Sequence, residues 1–189
     1  YSNAEAFAAL RADGSVVTWG SRGGDSSTVS SELQSGVVSV YSTYYAFAAV
    51  KENGQVITWG HSGYGGDSST VSSELQSGVV SVYSTGRAFA AVKENGQVIT
   101  WDDSGYGGDS STVSSELQSG VVSVYSNYRA FAAVKENGQV ITWGDSGYGA
   151  NSSSVSSELQ SGVVSVYSTG SAFAAVKENG QVITWGDSG

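Results

Sequence analysis

The chain has one histidine, His61, and it stands three residues short of Tyr64 in a Ser/Gly-rich loop. A Ser-His-Asp hydrolase needs a histidine held between a nucleophile and a carboxylate. At the places equivalent to His61 the sequence carries Ser21, Asp103, Asp145 and Asp187, so a repeated catalytic triad is excluded. The stretch DSGYGGD from Asp103 to Asp109 offers two carboxylates and several glycine carbonyls, the oxygen ligands a hard cation such as calcium takes. The equivalent loops carry His61 with Asp67 and Asp145 with Asn151, so a single copy keeps both carboxylates, and the spacing matches no EF-hand. Calcium is the weak alternative to a plain glycine-rich turn, and no cofactor is expected.

The remaining chemistry lies in a pair of variable residues just before each Ala-Phe: Ala4-Glu5, Tyr44-Tyr45, Gly86-Arg87, Tyr128-Arg129 and Gly170-Ser171. Tyr, Arg, Gly and Ser are the residues of adaptable binding loops. Together with His61, the residues Tyr44, Tyr45, Arg87, Tyr128 and Arg129 form the candidate binding rim. Variation inside an otherwise copied unit implies that these positions carry little packing; drift on an exposed rim is the competing reading.

These residues recur because the chain does. Trp19, Trp59, Trp101, Trp143 and Trp185 are spaced by 40 and then three times by 42 residues, a period of propeller blades and solenoid turns. One array spans 1–189, with units 1–40, 41–82, 83–124 and 125–166 and a partial unit 167–189. In VYSTYYAFAAVKENGQVITWG, from Val40 to Gly60, Asn53-Gly54 sits between two β-prone runs, a hairpin signal. Read as a two-residue loop, it pairs Val50 with Ile57, Ala48 with Trp59, Phe47 with Gly60 and Arg87 with Ser104, each large ring opposite a small residue. Both faces are apolar near the Trp end, so the hairpins must stack on one another. GVVSVYS alternates as a third strand, and SSTVSSELQ reads as an outer edge element, strand or single turn. The repeated Phe and Trp are core, and Lys51, Glu52 and Glu74 are solvated edge charges.

The pattern V-x-x-V-Y-S-x-x-x-A-F-A-A-V-K-E-N-G-Q-V-I-T-W-G resembles the repeat of the regulator of chromosome condensation family, and does so along the whole chain. The resemblance implies an all-β propeller of roughly four-stranded blades; an open β-solenoid-like stack is the alternative. It also implies guanine-nucleotide exchange or chromatin binding. The family's Gly-Gln-Leu-Gly after the Trp loop is replaced here by YGGDSS.

A net charge of −9 with eight scattered Lys and Arg disfavours nucleic acid as a partner. No apolar run reaches the roughly 20 residues of a membrane helix. The chain has no cysteine, so disulfides and thiolate metal sites are excluded. The expected function is a non-enzymatic scaffold, part of a large secreted or cell-surface repeat protein, with a protein or glycan partner at the rim. An intracellular regulator and a glycan-binding module using Tyr44, Tyr106 and Tyr148 are the alternatives. VVSV occurs four times against five hairpins, so the array either closes into a ring with its ends meeting or assembles end to end through them.

Overall fold

The structure is a computed structural model that describes residues 1–187. It is all-β. The first unit is a hairpin of β1 (Ala6–Leu10) and β2 (Val16–Gly20), with Tyr1 and Ser2 bonded along β1 as a vestigial third strand. Four three-stranded antiparallel sheets follow. They are β3 (Val37–Ser42), β4 (Ala46–Lys51) and β5 (Val56–Gly60), then β6 (Val79–Ser84), β7 (Ala88–Lys93) and β8 (Val98–Asp102). The last two are β9 (Val121–Ser126), β10 (Ala130–Lys135) and β11 (Val140–Gly144), then β12 (Val163–Ser168), β13 (Ala172–Lys177) and β14 (Val182–Gly186).

The hairpin register differs by one residue from the sequence reading. Val50 pairs with Val56, Ala48 with Thr58 and Phe47 with Trp59. The cause is the turn. A two-residue loop needs positive φ at both Asn53 and Gly54, but Gly54 alone has it, at +74°. Gly54 N–H donates to Lys51 O at 2.8 Å and Lys51 N–H to Gln55 O at 2.8 Å, which makes a three-residue loop of residues 52–54 closed by a left-handed glycine. Asn53 Oδ1 accepts from Gln55 N–H at 3.0 Å and holds that turn from the side.

The corrected register puts ring opposite ring. Phe47 and Trp59 stack at 5.3 Å between centroids, and Phe89–Trp101, Phe131–Trp143 and Phe173–Trp185 repeat the pair. One face of each sheet therefore carries Phe, Trp, Ile and one Ala, and the other carries Ala, Ala, Val and Val. The ring face of one sheet packs on the small face of the sheet before it: Phe89, Ala91, Ile99 and Trp101 lie against Ala46, Ala48, Val50 and Val56. Trp101 Nε1 donates across the seam to Gly65 O at 3.1 Å, and Trp59, Trp143 and Trp185 do the same to Gly23, Gly107 and Gly149.

The Ser/Thr-rich segment is not an edge strand. It folds into short 3₁₀ turns such as Ser69–Val71, anchored by a leucine that is 1% exposed in every copy. It nevertheless closes the outer edge, since Val56 N–H donates to Leu75 O at 2.9 Å. Lys51, Lys93, Lys135 and Lys177 are not free edge charges either, because each ammonium donates to a glutamate backbone carbonyl in this segment, Glu32, Glu74, Glu116 and Glu158 in turn. Four turns that contribute no strand are thus fastened to the sheet by one buried leucine and one lysine each.

The array is an open arc; the ends do not meet as a closed ring requires. Phe7 and Trp19 of the first unit are each 51% exposed, where Phe47 is 0% and Trp59 2%, and Val182 of the last sheet is 59% exposed.

The seams set up an internal control. Trp101→Ala should cost about 3–5 kcal/mol, by loss of transfer energy plus a cavity, whereas Trp19→Ala should cost about 1 kcal/mol or less. Urea unfolding of both variants checks the difference; equal losses would contradict the stacking arrangement.

Candidate functional site

The variable pairs fall where the inner strands β3, β6, β9 and β12 hand over to the next strand, and the first residue of each pair sits at the axis of the arc. Ala4 N–H donates to Tyr44 O, Tyr44 N–H to Gly86 O, Gly86 N–H to Tyr128 O and Tyr128 N–H to Gly170 O, at 3.1, 3.1, 3.0 and 3.4 Å. One backbone bond per unit stitches the axis. Tyr44 and Tyr128 meet edge to face at 5.7 Å across Gly86. A Cβ at Gly86 would stand 2.8 Å from the Tyr128 ring and 3.2 Å from that of Tyr44, so the small residue is what lets the two rings meet. Tyr44 and Tyr128 remain 43% and 37% exposed. They border an open depression of about 370 Å³ whose other walls are Ser, Thr and Asn residues with Ala4 and Gly86.

The second residue of each pair faces the loop after the Trp strand. The one-residue change of register decides what it meets. Arg87 lies beside Asp103, not Ser104, with Nη1 at 3.5 Å from the carboxylate, and Arg129 lies 3.3 Å from Asp145. Both guanidinium groups also slide between tyrosine rings. Arg87 lies 4.7 Å from the Tyr64 ring and 5.0 Å from Tyr106, and Arg129 lies 4.6 Å from Tyr106 and 5.1 Å from Tyr148. Tyr45 packs on Tyr64 at 4.7 Å and carries the Arg22 guanidinium over its own ring at 4.5 Å. Cation and ring alternate along the rim, each contact adding roughly 0.5–1 kcal/mol where solvent reaches it. Arg129 Nε is buried without a hydrogen-bond partner, and the guanidinium is held by its Nη1 bond to Asp145 and by the rings on either side.

The structure therefore brings Tyr44 and Tyr128 together, and separately joins Tyr45 and His61 through Tyr64. Arg87 and Arg129 share Tyr106. The expectation that the variable pairs carry little packing fails for the second residue, because Arg87, Arg129 and Tyr45 fill the seams between units. Tyr106 is 6% exposed, so the three-ring platform of the glycan alternative loses its middle member. Tyr64 is the rim residue that the sequence reading left out, and Tyr106 and Tyr148 entered it only through the glycan alternative; their regular place in SGYG was the available signal.

His61 has a structural task. Its Nδ1 accepts from Gly63 N–H at 3.1 Å, as Asp103 Oδ1 accepts from Gly105 and Asp145 Oδ1 from Gly147. An acceptor two residues before the glycine is what this loop needs, and His and Asp both supply one. The two carboxylates of the calcium reading are likewise engaged: Asp103 by Gly105 and Arg87, and Asp109 by Ser111 N–H at 2.8 Å. Among the described residues no three His, Cys, Asp or Glu gather to hold a metal ion.

One position breaks the repeat. Asp102 stands where the other units have Gly20, Gly60, Gly144 and Gly186, and it shares their left-handed backbone with φ +85°. Its carboxylate reaches back to the preceding unit and accepts a close bond from Gly65 N–H, while Trp101 Nε1 binds the same residue's carbonyl. Burial, with smaller repulsion from Asp103 and Asp67, pushes the Asp102 carboxyl up to about 6 in spite of the Gly65 bond.

No family model matches the chain, and no curated protein sequence does. Among solved structures, the ectodomain of the Physcomitrella patens receptor kinase CR4 is similar at TM-score 0.60 and 15% identity, over 98% of this chain and 50% of that one. Human WBSCR16 is similar at TM-score 0.58 and 18% identity, over 97% and 60%. Prp20p from Saccharomyces cerevisiae, the yeast RCC1, is similar at TM-score 0.57 and 14% identity, over 97% and 56%. The likeness to the regulator of chromosome condensation repeat thus holds in the fold, a β-propeller repeat, and this chain spans half to three-fifths of the length of these neighbours.

Asp102→Gly should stabilise the protein at pH 7 by about 1–2 kcal/mol, from relief of the left-handed backbone and of a half-buried charge. A carboxyl raised from 3.8 to about 6 costs nothing below pH 3.8, where both states are protonated, and its cost grows as pH rises to about 6. The advantage of the glycine variant should therefore shrink on acidification through that window. Urea titrations at pH 7 and pH 4 check it; a pH-independent difference would contradict the buried-carboxylate account.

Proposed function

We propose that the chain is a non-enzymatic interaction scaffold that holds a protein partner at the axial rim, with Tyr44 and Tyr128 as the anchoring rings. The observation that carries this reading is that these two remain open to solvent over a depression while the equivalent Gly86 clears space between them. Exposed tyrosines bordered by hydroxyls and amides suit a polypeptide surface, because they combine apolar area with few rotatable bonds. Tyr45, His61, Arg87 and Arg129 complete the rim, chiefly by fixing its shape.

Support for a protein partner comes from the neighbours: Prp20p was studied for its binding to Gsp1p and histones, and yeast RCC1 was crystallised with Kap60. A secreted or cell-surface setting is favoured by the CR4 receptor ectodomain and by the acidic, cysteine-free, Ser-rich composition. Guanine-nucleotide exchange is disfavoured by the replaced loop motif, and fold alone does not transfer an activity.

Panning a peptide library on the wild-type protein, then measuring the selected peptides on Tyr44→Ser/Tyr128→Ser, tests the rim. The arginines are left in place because they hold the seams. Affinity should fall by about 10-fold or more, as for truncation of a central aromatic anchor, while the variant still unfolds cooperatively and melts only a few degrees lower through the lost ring contacts of Tyr44 and Tyr128. Selected peptides that bind the variant equally well would overturn the assignment.

A second reading concerns the ends. Phe7 and Trp19 form the same stacked pair that is buried in every later unit, and Ala172, Ala174 and Val182 form the face that such a pair covers elsewhere. Head-to-tail contact between two copies would bury both. Sedimentation velocity should show association with rising concentration, lost in Phe7→Ser/Trp19→Ser; a monomer throughout would retire it.

A further inference from the structure

Four Lys-Glu-Asn-Gly-Gln turns, at Asn53, Asn95, Asn137 and Asn179, have the same sequence and the same local bonds. In each, the glycine N–H donates to the lysine carbonyl, at 2.8, 2.8, 2.8 and 2.9 Å, and the asparagine Oδ1 accepts from the glutamine N–H. They differ in what covers them. The carbonyls of Asn53 and Gly54 accept from Gly78 and Val79 of the next unit, at 3.3 and 3.0 Å. Asn95-Gly96 is held in the same way by Gly120 and Val121, and Asn137-Gly138 by Gly162 and Val163. The contact is backbone on backbone: a Cβ at Gly54 would stand 2.4 Å from Gly78 N. Gly54, Gly96 and Gly138 are buried, although their asparagines are exposed. Gly180 is exposed and has nothing within 4 Å of where a Cβ would be.

We propose that Asn179 is a site of spontaneous deamidation, and that the neighbouring unit protects Asn53, Asn95 and Asn137 from the same reaction. An Asn-Gly peptide is chemically labile because glycine leaves its own backbone nitrogen unhindered. In the reaction Gly180 N loses its proton to solvent base and attacks Asn179 Cγ. The Cγ–Nδ2 bond breaks, and ammonia leaves with a proton from water. The five-membered imide that results takes up one water, which opens it at either carbonyl to an aspartyl or an isoaspartyl linkage. Nitrogen and side chain can approach only if the peptide between the two residues turns out of its place. In the three covered turns that rotation must break the two bonds to the next unit and lift a buried glycine off its neighbour's backbone, so it waits on local opening of a seam. At Asn179 it must break only the bonds within the turn.

The product bears on the seam as well. An isoaspartyl linkage lengthens the turn by one backbone atom and adds a carboxylate beside the exposed Glu178. The glycine carbonyl that receives the next unit elsewhere in the array would then be displaced, so that an end left uncovered loses its fit for a following unit as it ages.

Peptide mapping tests the proposal within one molecule. A lysine precedes every turn, at 51, 93, 135 and 177, so trypsin places the four asparagines in four separable peptides. The intact 189-residue protein, kept dilute in mildly alkaline buffer at body temperature, is digested at intervals and each peptide is read for the mass gain and for isoaspartate. Loss of Asn179 should run at least about 10-fold faster than loss of the other three, and in denaturing urea the four rates should converge. Gly180→Ala, which hinders the attacking nitrogen, should slow the reaction at Asn179 alone. Native rates at Asn179 no more than about 3-fold above those of the other turns, or a native difference that persists in urea, would overturn it.

Discussion

Everything in this arc depends on one contact repeated between units: a stacked Phe–Trp pair laid on the Ala-rich face of the preceding sheet, with the indole N–H bound to a glycine carbonyl of that unit's loop. A lone three-stranded sheet with two apolar faces has nowhere to hide them. Stacking solves this only for interior units, which makes the stability of the array a sum of nearest-neighbour seams. The requirement explains the sequence within each unit. Alanine is kept where the next unit's rings must land, and glycine is kept in the loop where a Cβ at Gly65 would stand 2.3 Å from the Phe89 ring.

Variation is tolerated where seams can be closed in more than one way. Tyr45 on Tyr64, Arg87 between Tyr64 and Tyr106, and Arg129 between Tyr106 and Tyr148 are different solutions to the same gap. His61 and Asp103 are interchangeable because the loop asks only for an acceptor. Asp102 goes further and replaces the glycine that its backbone favours, exchanging an unstrained conformation for a bond to Gly65. What is left over for partners is correspondingly small: two rings, Tyr44 and Tyr128, that pack on each other and on the neighbouring Tyr45 and Tyr106 yet stay partly open to solvent.

The repeat, the strands and the buried Phe and Trp were legible in the sequence because period, alternation and β-branching are local signals. The register was not. A two-residue and a three-residue loop differ only in whether Asn53 takes positive φ, and a sequence that permits both does not choose between them. That one-residue error moved Arg87 from Asp103 to Ser104 and turned a ring-on-ring pair into a ring opposite glycine. The 3₁₀ turns escaped for a different reason, since Ser and Thr have no strong preference and the segment is fixed by Leu75 and by the lysine bond to Glu74, both set by tertiary contacts. Tyr44 and Tyr128 were legible as rim residues from their variation, but their pairing was not, because it exists only when alternate units are brought around a common axis.

Each unit is held by its neighbours and not by itself, and native-state hydrogen exchange measures the difference. Amides at equivalent places of the second strand of each hairpin, Ile57, Ile99, Ile141 and Ile183, belong to sheets of the same register and, Asp102 apart, the same strand sequence. Ile57, Ile99 and Ile141, in units covered on both faces, should exchange together and slowly, and Ile183 should exchange faster by about 10-fold or more through opening of the last unit alone. Equal protection at all four positions would mean that each sheet is stable in its own right, and would contradict that dependence on neighbours.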